Sequence, residues 1–86
     1  MSGLIVPRGV GVVALGDAIY VATLPDGPIL VLDAVAALVW REALAGPEAD
    51  AAARVTAQTD ASLAEVAPAV ATLIDDLVAR GLLSRS

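Results

Sequence analysis

At 86 residues the chain is long enough for one small domain and too short for a second hydrophobic core. It contains no His, Cys, Lys or Asn, which excludes imidazole bases, thiolate nucleophiles and the usual zinc or copper ligand sets, so neither a metal nor a cofactor is expected. A formal charge of −5, with five Arg scattered singly at 8, 41, 54, 80 and 85, offers no basic stripe for phosphates and argues against a nucleic-acid partner.

The chain opens on MSGLIVPRG, a short apolar stretch cut by Pro7 and too brief for a signal-peptide core, so a cytoplasmic location is expected. Three β-branched runs follow: about 10–15, about 18–24 and about 29–32. Gly16-Asp17 joins the first two as a two-residue turn, and Pro25-Asp26-Gly27-Pro28 places turn formers between the second and third. These features predict a three-stranded antiparallel meander whose third strand is an edge, where Pro28 is tolerated.

At Asp33, a candidate N-cap, the apolar period changes from two to about 3.6 residues. Val35, Leu38, Val39 and Leu44 predict a first helix over 33–45, ended by Gly46-Pro47. A second helix over 47–58 has Val55 as its one large apolar residue and, being rich in alanine, is expected to pack lightly. The third helix, 63–80, carries the stripe Val66, Val70, Leu73, Ile74, Leu77 and Val78 and stops at Gly81. Ser62 and Glu65 form a capping box, which leaves Pro68 inside the helix unless the cap lies later.

Hydrophobic residues make up 58% of the chain, yet Asp17, Asp26, Asp33, Arg41 and Glu42 break every apolar run before the ~18 residues of a membrane span, so no membrane partner is expected. Much of that fraction is alanine, which is at home on helix surfaces. Asp75-Asp76 is the one adjacent carboxylate pair, but neighbours on a helix point about 100° apart and do not converge on one substrate atom, so no enzymatic activity is expected. Trp40 near the end of the first helix reads as a core anchor.

The third strand departs from simple alternation, because Ile29, Leu30, Val31 and Leu32 are apolar on both faces. With Leu30 and Leu32 toward the core, Ile29 and Val31 point away beside an edge with unpaired N–H and C=O groups. Such an edge accepts an extended peptide as a further strand, the peptide gaining main-chain bonds and side-chain pockets. The competing readings are a strand covered by the third helix, or one paired with its counterpart in a homodimer.

Leu32-Asp33, Ala36, Leu38-Val39-Trp40, Leu44 and Gly46 resemble the run that opens the helical part of the PqqD-like family, the recognition elements for ribosomally made and modified (RiPP) precursor peptides. Val66, Val70, Leu73-Ile74, Leu77 and Gly81-Leu82-Leu83 are similar to its closing pattern, so that the resemblance spans about Val10 to Leu83. Asp33 stands where Asn is frequent, and Pro68 where a helix former is usual.

The resemblance implies an α+β, winged helix-turn-helix-like domain: a three-stranded antiparallel β-meander, then three α-helices. It also implies a precursor leader peptide bound as an extra strand between the third strand and the third helix. Carried over by position, the contacts fall on Ile29, Leu30, Val31 and Leu32 and on Val66, Val70, Leu73 and Leu77. The chain is similar in size to the stand-alone recognition proteins of lasso-peptide clusters, which imply a leader protease and a cyclase as further partners, and to the pyrroloquinoline quinone peptide chaperone. The lysine-free, alanine- and arginine-rich composition suits a high-GC bacterium, and the lasso setting is favoured, with the chain a monomer or weak dimer. A winged-helix DNA-binding regulator shares the topology, but the acidic charge and the lack of a basic recognition helix oppose it.

Overall fold

The computed structural model describes residues 3–85; Met1, Ser2 and Ser86, the outermost residues of the expected 1–86 domain, lie outside the described residues. Strands β1 (Leu4–Ile5), β2 (Val10–Leu15), β3 (Ala18–Thr23) and β4 (Ile29–Leu32) precede the helices α1 (Ala34–Leu44), α2 (Ala51–Thr56) and α3 (Leu63–Ala79), and β5 (Ser84–Arg85) ends the order. The architecture is α+β: an antiparallel sheet in the order β2-β3-β4, followed by helices, with a two-stranded β1-β5 ribbon beside it.

Strand β3 is central, paired on both sides, and sends Ile19 and Val21 into the core. Ile19 pairs with Leu32 and Val21 with Leu30, and Ile19, Val21 and Leu32 are all buried. The β2-β3 connection is the two-residue Gly16-Asp17 turn, with Gly16 at φ +59°, a left-handed conformation that a side chain resists. In the β3-β4 turn the Gly27 N–H donates to the Thr23 carbonyl at 2.7 Å, and a Cβ at Gly27 would collide with that same oxygen.

Helix α1 begins at the expected N-cap, but Asp33 takes only the backbone role: its carbonyl accepts from the Ala37 N–H at 2.9 Å, and its side chain makes no capping bond. The buried face of α1 also differs from the expected stripe. Val35 is 66% exposed, whereas Ala37, Val39, Trp40 and Ala43 are buried. Together with Ala51, Ala37 and Ala43 are alanines of the core rather than of the surface: where α1, α2 and the sheet converge, small side chains permit close approach.

The second helical segment is a 3₁₀ turn, Glu48–Asp50, leading into α2, and it does not pack lightly, since Ala51 and Val55 are fully enclosed. Arg54 on α2 ties the segment to α1. Its Nη2 donates to the Glu42 carbonyl at 2.7 Å and to the Pro47 carbonyl at 2.9 Å, and its Nε donates to Glu42 O at 3.1 Å. Gly46 leaves room for this guanidinium, because a Cβ there would lie 3.1 Å from Arg54 Nη1.

Helix α3 starts where the capping box placed it: the Glu65 N–H donates to Ser62 Oγ at 3.3 Å, and Pro68 sits inside the helix. Its end is a Schellman turn, with the Leu82 N–H on the Leu77 carbonyl at 2.9 Å, the Gly81 N–H on the Val78 carbonyl at 3.0 Å and Gly81 at φ +76°. The turn sends Leu82 and Leu83 back into the core, and β5 then pairs with β1 in the register Leu4 to Arg85 and Ile5 to Ser84. Arg85 fastens this end through Glu48 Oε2 at 2.9 Å and Asp75 Oδ1 at 2.6 Å, hydrogen bonds that hold its guanidinium above the ordinary Arg range, Glu48 contributing most.

Candidate functional site

Two sheet edges are free among the described residues, β2 and β4, because each pairs only with β3. The direction of their backbone groups follows from the ladder. The Leu24 N–H donates to the Gly9 carbonyl at 2.6 Å, continuing the register in which Gly11 faces Ala22 and Val13 faces Tyr20. Antiparallel pairing alternates, so residues 18, 20 and 22 of β3 exchange bonds with β2, and 19 and 21 exchange them with β4. Leu30 and Leu32 therefore turn their backbone toward β3, whereas Ile29 and Val31 turn theirs outward.

Side chains divide by the same period of two. Ile29 is 69% exposed and Val31 51% exposed, whereas Leu32 is 3% exposed within the core. Leu30 is half-buried and packs against that core. On α3, Leu77 and Val70 are buried core residues, and Val66 and Leu73 are half-buried at its margin. Of the eight residues carried over by resemblance, Leu32 and Leu77 thus stand behind the surface, and Val70, also buried, borders a hollow on the opposite side of α3 with Glu48, Ala52 and Arg85.

What lies beside the β4 edge is a cleft of about 260 Å³ lined by Thr23, Pro28, Ile29, Leu30, Arg80 and Leu82. It joins the first half of β4 to the C-terminal end of α3 and the residue that the Schellman turn folds back. A second, shallower hollow of about 570 Å³ runs along α3 past Pro68, Ala69, Thr72, Leu73 and Asp76. Arg80 Nε donates to Asp76 Oδ2 at 2.9 Å, so one ion pair carries a lining residue of each hollow. Residues 73, 76 and 80 lie about one turn apart on a single helix face. Leu73 and Asp76 of this face border the α3 hollow and Arg80 borders the cleft.

Thr23, Pro28, Asp76, Arg80 and Leu82 border these hollows but were not among the contact residues expected from the sequence. For Asp76 and Arg80 a signal existed, since they follow Leu73 by three and seven residues. Pro28 and Leu82 enter through turns, for which periodicity has no reading. The outward face of the sheet is also more apolar than expected: Val13, Leu15 and Leu24 are exposed on the side that carries Ile29 and Val31.

The cleft is lined by apolar groups, one hydroxyl and one guanidinium, with an unpaired strand edge running along its rim. Among the described residues no helix is long and apolar enough to cross a membrane.

No curated protein and no solved structure gives a significant match to the chain. One family model does match, described as coenzyme PQQ synthesis protein D (PqqD), and it covers residues 19–83, from the start of the central strand through α3 to the Schellman turn. Such a domain carries a peptide-binding role in pathways that make modified peptides from ribosomal precursors. With most of its length matched, from the two strands that form the cleft's edge to the helix that forms its wall, the chain belongs to the PqqD family.

Proposed function

We propose that this protein is a non-catalytic carrier for the leader region of a ribosomally made precursor peptide, which it binds as an additional antiparallel strand on β4. The observation that carries the reading is the outward-turned backbone of Ile29 and Val31 on an unpaired edge, next to the cleft of Pro28, Leu30, Arg80 and Leu82. A leader strand there exchanges main-chain bonds with Ile29 and Val31. It sends alternate side chains toward the cleft and toward the hollow beside Leu73. Leu32, Val70 and Leu77 act from behind by fixing the spacing of β4 and α3.

The setting we favour is cytoplasmic lasso-peptide maturation, in which the bound leader is handed to a leader protease and the core peptide to a cyclase. Chaperoning the pyrroloquinoline quinone precursor is the second setting, which the family's name supports. Titrating fluorescent leader peptides of both precursor classes into the protein separates them by affinity. Val31→Asp places a charge at an exposed position of the proposed contact surface, Leu73→Asp at a half-buried one on the core margin, and each is expected to weaken leader binding by about tenfold or more. Unchanged affinity in both variants, with circular dichroism showing them folded, removes the strand-addition reading.

A further inference from the structure

The other free edge, β2, has no part in that reading and lies outside the residues matched by the family model. It is the longer of the two, six residues reading VGVVAL, with neither charge nor proline within it. Strand edges left open in monomeric proteins are ordinarily guarded by Lys, Pro, a bulge or a covering loop. Here Val12, Val13, Ala14 and Leu15 are all exposed. The ladder that turns Gly11, Val13 and Leu15 toward β3 turns the backbone of Val12 and Ala14 outward, together with the Val10 carbonyl. The Val10 N–H is engaged by the Pro7 carbonyl at 3.4 Å.

Three features of this edge select its occupant. First, the exposed Arg8 and Asp17 flank the strand at opposite ends, and neither makes an ion pair among the described residues. Two β2 strands laid antiparallel about a two-fold axis through Val12 or Val13 bring Arg8 of each copy beside Asp17 of the other. Second, the strand between them is uncharged, so self-pairing sets no like charges against each other. Third, Val12 and Ala14 point to the helix-bearing side of the sheet yet are exposed, so the helical layer stops short of β2 and leaves space for a second copy.

We infer that β2 is a self-association edge, on which two copies of the chain join their sheets into one six-stranded antiparallel sheet, with both β4 edges left free at its outer ends. Each copy gives the N–H and C=O groups of Val12 and Ala14 to the other, and the exposed valines of the two strands cover one another. The inference stands apart from leader binding: it predicts one leader site per chain in the dimer, at the far margins.

Sedimentation velocity of the full chain between about 5 and 500 µM is the test, with leader affinity measured in parallel. The wild type is expected to show a monomer-dimer equilibrium. Ala14→Pro, which removes an outward-pointing N–H and none within the sheet, and Val13→Lys, at an exposed position, are expected to weaken it by about tenfold or more. Arg8→Asp is expected to weaken it as well, and adding Asp17→Arg to that variant to restore it. A wild type that stays monomeric throughout overturns the inference, as does a dimer that survives both Ala14→Pro and Val13→Lys. A dimer dissolved by Val31→Asp instead assigns the contact to β4 and overturns it equally. Loss of leader binding without change in association bears on the proposed function alone.

Discussion

Gly27 is needed for space rather than for an unusual φ, because its missing Cβ is what lets the turn bring its N–H onto the Thr23 carbonyl. Gly27→Ala is expected to destabilise the domain by about 1–3 kcal/mol, since the backbone oxygen cannot move aside as a flexible side chain would. Urea denaturation measures this, and an unchanged midpoint would show that the turn re-forms by another route. At the same scale, the orientation of β4 was legible in the sequence: a period of two assigns Leu30 and Leu32 to one side and Ile29 and Val31 to the other. The wrong assignment at Val35 has an equally local cause. A count of large apolar residues favours Val35, whereas the core at that point admits alanines 37 and 43.

Each element owes its limits to short-range signals, which is why most were readable. The meander follows from two turns, and α3 follows from its Ser62 cap and its Gly81 stop. Pro68 is the exception to local consistency: it denies the Ala64 carbonyl its helical donor, yet α3 continues through it. Pro68→Ala restores that donor and is expected to raise stability by about 1–3 kcal/mol in thermal unfolding. A lower midpoint would mean that packing of the proline ring beside the Leu73 hollow outweighs the lost bond. Strands β1 and β5 left no signal, because two residues are too few to show a period and their partners, Leu4 with Arg85 and Ile5 with Ser84, lie at opposite ends of the chain. The tie from Arg54 to the end of α1 is likewise invisible locally, being a contact across 12 residues.

At the scale of the whole molecule, one core underlies both the sheet and the proposed site. Leu77 is fully enclosed, and it also forms the Schellman turn that places Leu82 in the cleft. Leu77→Ala is expected to cost about 2–5 kcal/mol, a large share of the roughly 5–15 kcal/mol that holds a domain of this kind together. By contrast, Val31→Asp should leave stability within about 0.5 kcal/mol while weakening leader binding by about tenfold or more. Equal losses of stability in the two variants, read from urea midpoints, would move Val31 into the core and away from the site.

The sequence by itself determined the class of fold, the positions of the turns, the strand that presents an apolar edge and the absence of thiol and imidazole chemistry, because composition, turn residues and periodicity act over a few positions. Tertiary structure decided which apolar residues are core and which are surface, that Arg80 borders the cleft while Leu73 and Asp76 border the hollow along α3, and that β2 is a second open edge. Burial and strand neighbours depend on what distant segments bring to the same place, and no local pattern carries that information.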